Sequence, residues 1–326
     1  MSQPAPDVLV VGAGVAGLTT AICLAESGLH VRVRTDRRPA DTTSAVAGAV
    51  WGPHLVEDSE RTASWRRDTL AVLRELATDP ATGVRIASGI EATRGPEPEP
   101  EGPEDWLAEL GGAERCGPGA LPPGFSSGWH YRAPLTHMPT YLGYLRARLE
   151  RAGGTLETGM VTSLPGAAAG AATGVVVNCT GVHARDLAGD GDLTPWRGQT
   201  VIAANPGLAS FFIGLPDSSH ELVYLFPHGD TVVLGGTQEA GDWNTEPVPA
   251  LAGRILRDCA LVEPRLRDPV VLGHRVGLRP VRPAVRLEAE RDGAGGPLIV
   301  HNYGHGGAGV TLSWGCARAA AALVTG

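Results

Sequence analysis

The N-terminal stretch of this chain contains the feature that most restricts its fold. The apolar run Val8–Val11 leads directly into Gly12, Gly14 and Gly17, and apolar residues then recur at helical spacing. A second strand pattern follows and ends at Asp36. Strand, glycine loop, helix, strand and acidic residue, in this order, are typical of a dinucleotide-binding βαβ unit. The sequence therefore predicts a nucleotide site rather than a glycine-rich turn without a ligand.

The residues of this loop have distinct physical roles. Gly12 permits the tight turn, and Gly17 lets the helix lie close to the strand. Because Gly14 has no side chain, a pyrophosphate can reach the N–H groups of Val15 and Ala16 at the positive end of the helix.

The acidic residue, Asp36, is expected to contact the adenosine end of the nucleotide. Asp36 can accept a hydrogen bond from an adenosine ribose hydroxyl, whereas Arg37 and Arg38 would suit a 2′-phosphate. The fingerprint alone leaves both FAD and NAD open.

A second strand, glycine loop and helix occur near the C-terminus. The buried run at 298–300 is followed by Gly306, Gly307 and Gly309, and a helix is predicted over 310–324. Helix N–H groups favour a ligand that becomes anionic, and a reduced flavin carries negative charge at N1 and the C2 carbonyl. Two glycine loops, each at a helix start, can therefore hold the two ends of one FAD.

Two middle segments are candidates for the nucleotide crevice. Residues 42–53 are small, hydroxyl-bearing and glycine-spaced, and the apolar run at 174–181 ends in Thr180 and Gly181. The carboxyl ends of parallel strands line the ligand crevice of such sheets. From the pattern alone, an ordinary connection is the better interpretation of the first segment, and a simple strand end is as good an interpretation of the second.

The segment 277–286 has three arginines in an extended, proline-containing stretch. Because side chains alternate, Arg279 is expected to point away from Arg282 and Arg286. A guanidinium fork binds a carboxylate through two parallel charge-assisted hydrogen bonds. Three surface arginines are the ordinary alternative, but the nearby C-terminal glycine loop favours an arginine in a pocket.

Composition excludes several function classes. The 326 residues have a net charge of −8, which argues against a polyanion-binding surface. All 27 basic residues are arginine, as is typical of a GC-rich bacterial genome, so a lysine Schiff base and a P-loop are both excluded. Five widely spaced cysteines predict reduced thiols, with no metal site.

Without a signal-like start or a long apolar run, we expect a cytoplasmic protein with no membrane or nucleic-acid partner.

Six segments, in chain order, resemble the D-amino-acid oxidase family, which also contains D-aspartate oxidase: VLVVGAGVAGL, TTSAVAGAVWGP, NCTG, WRGQ, GLRPVRP and VHNYGHGGAGVTLSWGCA. The resemblance implies non-covalently bound FAD and oxidation of a D-amino acid by hydride transfer to flavin N5. O₂ becomes H₂O₂, and the imino acid hydrolyses to a 2-oxo acid and ammonia. Neutral D-amino acids are the expected substrates.

The resemblance also implies an α/β fold of mixed α+β character. A Rossmann-like FAD-binding domain (1–55, 139–192 and 284–326) is expected to interleave with a substrate domain (56–138 and 193–283). The substrate domain is expected to rest on a mainly antiparallel sheet, because strand patterns joined by short turns begin at Trp196. A homodimer is possible, since the family is often dimeric.

Individual residues match the family's functional positions. Arg279 matches the arginine that binds the substrate carboxylate, Tyr224 matches a tyrosine that shares it, and the carbonyl of Gly307 matches the acceptor of the substrate amine. If the amine arrives neutral no side-chain base is needed, and His301 and His305 are expected to make structural hydrogen bonds. The fingerprint, the crevice segments and the family match together give these cofactor-binding residues: Gly12, Gly14, Val15, Ala16, Gly17, Asp36, Arg37, Thr42, Thr43, Ser44, Gly48, Ala49, Val50, Val161, Thr180, Gly181, Gly306, Gly307, Gly309, Val310 and Thr311.

The predicted substrate pocket departs from the family pattern. His220 replaces a second tyrosine in a shortened segment, so the substrate lid is expected to be small or absent. His54 matches a histidine of D-aspartate oxidases, but Gln238 stands where those enzymes have an arginine for the acidic side chain. The expected pocket residues are Val50, Gly52, His54, Phe212, His220 and Gln238.

Four other functions stay open from the sequence. Two are closely related oxidases: a D-aspartate oxidase and a glycine or sarcosine oxidase. A nicotinamide-dependent dehydrogenase would leave the second glycine loop unexplained. A non-enzymatic FAD-binding protein is also compatible with the motifs.

Overall fold

The computed structural model describes residues 7–94, 105–117, 119–218, 220–291 and 295–326. Its helices are α1 (Val15–Glu26), α2 (Thr43–Val46), α3 (Glu60–Leu76), α4 (Asp105–Ala108), α5 (Met138–Arg151), α6 (Leu164–Ala168), α7 (Ala184–Leu187), α8 (Pro249–Val262) and α9 (Gly309–Thr325). Its strands are β1 (Val8–Val11), β2 (Val31–Thr35), β3 (Val84–Thr93), β4 (Glu114–Arg115), β5 (Ser127–Thr136), β6 (Thr155–Thr158), β7 (Val175–Asn178), β8 (Thr194–Ala204), β9 (Phe211–Gly214), β10 (Val223–His228), β11 (Thr231–Gly235), β12 (Glu239–Ala240), β13 (Val271–Arg291) and β14 (Leu298–His305). The mixed α/β fold expected from the sequence is confirmed.

One half of the structure is a parallel sheet in the order β14-β7-β1-β2-β6. Its central strands β1 and β7 are buried at every residue, because helices cover both faces of the sheet. Helix α1 packs between α5 and α9 on one face. The crevice predicted at the carboxyl ends of β1 and β7 therefore has a rigid floor.

The other half is mainly antiparallel, in the order β4-β5-β3-β9-β10-β11-β8-β13, with β12 beside β8. The pair β3 and β9 is parallel within this half. Helix α8 packs against β8, β10 and β11 on the face opposite the cavity described below.

Strand β13 joins the two halves into one continuous sheet. Its first part, Val271–Val281, pairs with β8, and its second part, Arg286–Arg291, pairs with β14. The expected domain boundary at 283/284 falls between these two parts. The division into interleaved FAD-binding and substrate domains stays a prediction from the sequence.

Two further properties of the chain concern its cysteines and its helices. All five cysteines have free thiols, as their spacing predicts. Within the described ranges, no helix combines the length and the apolarity needed to cross a membrane.

Candidate active site

One cavity of about 430 Å³ extends across the sheet from the α1 end of β1 to the antiparallel half. Its wall includes both predicted glycine loops, the segment 42–54, Thr180, Gly181, Tyr224 and Arg279. Residues predicted from six separate stretches of the sequence thus meet around a single cavity.

The first glycine loop has the geometry that its sequence predicts. Gly12 has a φ of +106°, and a Cβ there would lie 2.4 Å from the carbonyl oxygen of Cys179. A Cβ on Gly17 would lie 1.9 Å from the carbonyl oxygen of Gly12, so helix and strand can approach only with glycine at this position. Gly14 is the N-cap residue of α1 and lies on the cavity wall. The first residues of α1, Val15 and Ala16, also line the cavity, so this helix start faces it.

The hydroxyl loop is docked onto the same helix start. The Val15 N–H donates to Ser44 Oγ at 2.9 Å. Thr42, Thr43 and Ser44 all line the cavity. The Thr42 hydroxyl donates to the Pro39 carbonyl at 2.7 Å. The hydroxyls of Thr43 and Ser44, together with the start of α1, form a cradle that suits an anionic phosphate.

The acidic residue Asp36 lies at the end of β2 on the cavity wall. Its carboxylate accepts from Arg37 Nη2 at 2.6 Å, and this hydrogen bond lowers the pKa of Asp36. Arg38 turns away and pairs with Asp41 at 2.7 Å. With both arginines paired to carboxylates, the site favours a ribose hydroxyl over a 2′-phosphate.

The second glycine loop is interlocked with the segment before α3. Gly306 has a φ of +55°, and a Cβ there would lie 1.7 Å from the carbonyl oxygen of Leu55. The Gly307 N–H donates to the His54 carbonyl at 2.9 Å. The Gly307 carbonyl is therefore the group of this residue available for the predicted amine contact.

The hydroxyl of the predicted cofactor-binding residue Thr311 is bonded within the protein. It donates to the Gly52 carbonyl at 2.8 Å and accepts from the Gly52 N–H at 3.2 Å. The backbone N–H groups of Val310 and Thr311, in the first turn of α9, are the donors that this loop offers to a ligand.

The predicted carboxylate-binding pair is assembled in the antiparallel half. The Arg279 guanidinium lies over Gly198, where a Cβ would be 2.4 Å from Nη1. Its Nη1 donates to the Thr237 carbonyl at 3.0 Å, and the Tyr224 hydroxyl is a further hydrogen-bond partner. Among the described residues, no carboxylate oxygen lies within 4.0 Å of this guanidinium. The guanidinium thus presents a positive charge to the cavity without a carboxylate in direct contact.

Burial shifts the acid–base properties of these groups. Burial lowers the pKa of Arg279, although the guanidinium still carries its charge at neutral pH. Burial also raises the pKa of Tyr224, against the opposing effect of Arg279, so the hydroxyl keeps its proton. Burial, with Arg279 adding to it, lowers the pKa of His54 to about 4. His54 is therefore neutral and adds no charge to the pocket.

The other two arginines of the segment lie outside the cavity. Arg282 Nε donates to Asp190 Oδ2 at 3.0 Å, and Arg286 Nη1 donates to the Tyr303 hydroxyl at 2.8 Å. The Tyr303 hydroxyl in turn donates to Asp190 at 2.7 Å. The structure thus places Arg279 apart from Arg282 and Arg286, as the alternation predicts.

Three predicted pocket residues lie elsewhere. Phe212 faces the opposite side of β9 and packs edge-on against Phe125 at 5.1 Å, so the prediction that it lines the pocket is wrong, and Ile213 lines the cavity instead. His220 is exposed and pairs with Asp217 at 2.9 Å, outside the cavity wall. Gln238 also lies outside the wall, with its Nε2 at 3.2 Å from His54 Nε2.

Of the remaining predicted residues, some line the cavity and others lie outside its wall. Val50, Gly52 and His54 line the cavity, as do Gly48 and Ala49. Val161 lies outside the wall and packs against the cluster that contains Leu9 and Val11.

The two loop histidines have the structural hydrogen bonds expected of them. His305 Nε2 lies 3.0 Å from Asn302 Oδ1, and His301 contacts Asn178 and Glu290.

Sequence reasoning missed several wall residues: Trp51, Glu91, Trp106, Tyr131, Thr200 and Ile213. Trp51 lies within the predicted segment 42–53 and Thr200 directly follows WRGQ, but neither was assigned a role. The other four residues come from strands and a short helix that have no recognisable motif. Cross-strand pairing brings Ile213 beside Tyr224, so only the sheet register could have identified it.

The residues present fit an extended flavin dinucleotide. Buried polar atoms of the wall support this: Trp51 Nε1 and Thr200 Oγ1 have no hydrogen-bond partner among the described residues. Two helix N-termini, at Gly14 and Gly309, open onto the same cavity. The first suits a pyrophosphate, and the second suits a ring that becomes anionic.

Comparisons with known proteins agree with this geometry. Residues 7–323 match the family described as FAD dependent oxidoreductase. The D-amino-acid oxidase of Rubrobacter xylanophilus is 52% identical, with 97% of this chain and 94% of the relative covered. The D-amino-acid oxidase of Streptomyces coelicolor is 45% identical, with 98% and 97% covered. The D-aspartate oxidase of Homo sapiens is 34% identical, with 98% and 94% covered.

A solved structure shows the same fold at low sequence identity. Glycine oxidase from Geobacillus kaustophilus superposes with a TM-score of 0.80 at 17% identity, covering 98% of this chain and 93% of that one. The resemblance to D-amino-acid oxidases inferred from the sequence is confirmed, and FAD is the cofactor. The chain belongs to the FAD-dependent oxidoreductase family that includes the D-amino-acid oxidases.

Proposed function

We propose that this protein is a D-amino-acid oxidase, converting a D-amino acid and O₂ to a 2-oxo acid, ammonia and H₂O₂. One observation carries the proposal. The Gly306 N–H donates to the carbonyl of Pro280, the residue after Arg279, at 2.9 Å. The glycine loop that suits the flavin ring is therefore tied directly to the arginine that suits a carboxylate.

The cofactor-binding roles follow from the cradles. Gly14, Ser44 and the first N–H groups of α1 would hold the pyrophosphate, and Asp36 would hold the ribose. The N–H groups of Val310 and Thr311 would face the pyrimidine edge of the ring. Bound FAD supplies a hydride acceptor at N5 and passes the electrons to O₂.

The protein's own residues bind and orient the substrate. Arg279 binds the substrate carboxylate with its open N–H groups, and the Tyr224 hydroxyl donates a second contact to that carboxylate. The Gly307 carbonyl accepts from the substrate amine. With carboxylate and amine both fixed, the α-hydrogen is aimed at one face of the ring, which selects the D-enantiomer. Such positioning contributes on the order of 7–11 kcal/mol in ideal cases.

No side chain needs to remove a proton from the α-carbon. Burial lowers the pKa of His305 to about 4, and His54 has a similarly lowered pKa, so both are neutral acceptors at physiological pH. An amine that enters neutral retains its lone pair, which assists departure of the α-hydride. The resulting iminium loses a proton and hydrolyses in water.

The test is a peroxide assay on the FAD-loaded protein. The panel contains D-alanine, D-norvaline, D-aspartate, glycine, sarcosine and the L-enantiomers. Peroxide from D-alanine or D-norvaline, with little from the others, is the expected result. Preferred oxidation of D-aspartate, glycine or sarcosine would overturn the assignment, and no peroxide with any substrate would favour a non-enzymatic FAD-binding protein.

The proposal also includes a homodimeric state and a cytoplasmic location. A homodimer is tested by sedimentation of the purified protein, and a cytoplasmic location by fractionation of the source cells.

A further inference from the structure

The segment WRGQ, residues 196–199, contributes no side chain to the cavity wall, yet it lies directly beside Arg279. It belongs to β8, which pairs with the part of β13 that carries this arginine. Gly198 lies on the wall under the guanidinium, whereas Arg197 and Gln199 lie outside the wall. The hydrogen bonds of these two outer residues lead back to the proposed substrate-binding group.

Arg197 is completely committed to partners within the protein, and its side chain is 0% exposed. Its Nη1 donates to Glu239 Oε2 at 2.8 Å. Its Nη2 donates to Gln199 Oε1 and to the Glu246 carbonyl, both at 2.8 Å, and its Nε donates to the Asn244 carbonyl at 2.9 Å. Because every nitrogen is bonded, this guanidinium is a fixed anchor that holds the Glu239 carboxylate against β8.

The chain between β11 and β12 interrupts its pairing with β8 at this anchor. Gly235 pairs with Thr200 and Glu239 pairs with Arg197, so five residues of one segment oppose four of the other. One extra residue in an antiparallel pair changes the direction in which the neighbouring groups point. Thr237 is the middle residue of this interruption.

Thr237 connects the anchor to Arg279. Its buried hydroxyl accepts from the Gln199 N–H at 2.9 Å and donates to Glu239 Oε2 at 2.9 Å, the oxygen that also binds Arg197. The Thr237 carbonyl accepts from Arg279 Nη1 at 3.0 Å. A continuous path of hydrogen bonds and one residue's backbone therefore runs from the anchor to the guanidinium.

Direction matters for an arginine that binds a carboxylate. The planar fork forms two parallel hydrogen bonds only when it is aligned with the carboxylate. An arginine side chain has many rotamers, so acceptors of fixed position are needed to hold it in one of them. The Thr237 carbonyl is such an acceptor, because the hydroxyl of the same residue holds the backbone at this point.

We propose that Thr237 is a positioning residue for the proposed oxidase reaction. Its hydroxyl, anchored by Arg197 through Glu239, holds the carbonyl that orients the Arg279 guanidinium toward the substrate carboxylate. This inference rests on the proposed function, which assigns Arg279 to that carboxylate. Thr237 itself lies outside the cavity wall and acts only through the arginine.

The first experiment compares two variants of Thr237 in the FAD-loaded protein. Thr237→Val removes the hydroxyl at nearly constant shape, and Thr237→Ser retains it. In Thr237→Val the KM for D-alanine should rise by about 3- to 10-fold, the range for one lost hydrogen bond. The kcat should stay within about twofold, because the carboxylate contact is the same before and during hydride transfer.

Thr237→Ser should return KM to within about twofold of the unmodified protein. A KM that is unchanged in Thr237→Val, or equally raised in Thr237→Ser, would overturn the proposal. If Thr237→Val does not fold, Thr237→Ala also removes the hydroxyl and has the same expected result.

Thr69→Val is the matched control for a purely structural effect. The Thr69 hydroxyl on α3 is also fully buried and accepts from a backbone N–H, that of Gly315, at 3.0 Å. Since Thr69 lies outside the cavity wall, its loss should lower the unfolding temperature and leave KM within about twofold. A similar rise in KM in Thr69→Val would attribute the Thr237 effect to general destabilisation and overturn the positioning role.

A binding measurement separates this inference from the proposed function. Propionate, which has the carboxylate but no amine, is titrated into the FAD-loaded protein while flavin absorbance is recorded. A Kd that rises about 3- to 10-fold in Thr237→Val and returns in Thr237→Ser supports the positioning role even if no D-amino acid is oxidised. An unchanged Kd together with peroxide from D-alanine would remove the positioning role and leave the oxidase assignment intact. Absence of saturable binding in the unmodified protein would overturn the carboxylate role of Arg279 and this inference with it.

Discussion

Replacing Arg279 by glutamine tests the central step of the proposed chemistry. The guanidinium is fixed by Thr237, Tyr224 and the close backbone of Gly198, so its open N–H groups have a defined direction. A substrate carboxylate can form two charge-assisted hydrogen bonds there, each contributing about 1.5–3 kcal/mol. Losing both costs about 3–6 kcal/mol, which corresponds to roughly 10²- to 10⁴-fold in kcat/KM.

The same variant separates lost binding from misfolding. Arg279 has no carboxylate partner within 4.0 Å among the described residues, and burial of its charge opposes folding. Arg279→Gln should therefore keep its flavin and unfold at an equal or higher temperature. A protein that loses its flavin absorbance would instead have been disturbed in structure.

The assay is initial-rate peroxide production over a range of D-alanine concentrations, with visible absorbance and thermal unfolding measured in parallel. Arg282→Gln is the matched control, because it removes the same charge from the same strand but breaks the pair with Asp190. This control should lower the unfolding temperature and leave kcat/KM within about threefold, since it touches no ligand. A KM for D-alanine that rises less than about tenfold in flavin-bound Arg279→Gln would refute the carboxylate assignment.

Three further predictions concern cofactor retention and stability. In Gly17→Ala the new Cβ would lie 1.9 Å from the Gly12 carbonyl oxygen, so purified protein should be colourless or lose FAD on dilution; retained yellow colour would contradict this. Glu109→Gln should cost about 3–5 kcal/mol in a denaturant titration, because it leaves the buried Arg66, now bonded at 2.7 Å, without its counter-charge; a loss under 1 kcal/mol would contradict this. Burial lowers the pKa of His305 from 6.5 to about 4, so between these values only the unfolded chain takes up a proton. The contribution of His305 to stability should therefore fall as pH drops from 6.5 toward 4, by up to about 1.4 kcal/mol per pH unit, and His305→Asn should show a shallower fall in unfolding temperature.

The parts of the site that could be predicted are those where only one residue type is physically possible. Gly12, Gly17 and Gly306 each leave no room for a Cβ, and backbone donors face the cavity beside them. A position that only glycine can occupy can be recognised from the sequence alone, because the glycine itself marks it. Arg279 could be assigned because an extended strand fixes the direction of alternate side chains.

The error at Phe212 has a different origin. All four residues of β9 are buried, so its sequence has no polar side to mark the outer face. Only the pairing of Ile213 with Tyr224 decides which residues point into the cavity. Long-range register of this kind is absent from a single sequence, and a one-residue error moves a side chain to the opposite face.

The cavity-wall residue Trp106 shows the same limit more strongly. Trp106 lies on the four-residue helix α4, and Glu109, which directly follows this helix, accepts two hydrogen bonds from Arg66 on α3. Its place in the cavity thus depends on an ion pair between segments about 40 positions apart in the chain. No local pattern encodes this arrangement, so the sequence does not predict Trp106 as a residue of the cavity wall.

The irregularity in β13 explains how one strand serves both halves of the site. Between its pairings with β8 and β14, the register shifts, so that Val281 pairs with His305 and Arg286 with Tyr303. Five positions on β13 therefore correspond to two on β14, which bends the strand at its prolines. Before the bend the strand presents Arg279 to the cavity, and after it Arg286 joins Tyr303 behind the glycine loop. Because the Gly306 N–H donates to the Pro280 carbonyl at this bend, the second glycine loop is held at a fixed distance from the strand residue Arg279 by a backbone hydrogen bond. In the proposed reaction, the alignment of the substrate carboxylate with the flavin would thus depend on a sheet irregularity rather than on mobile side chains.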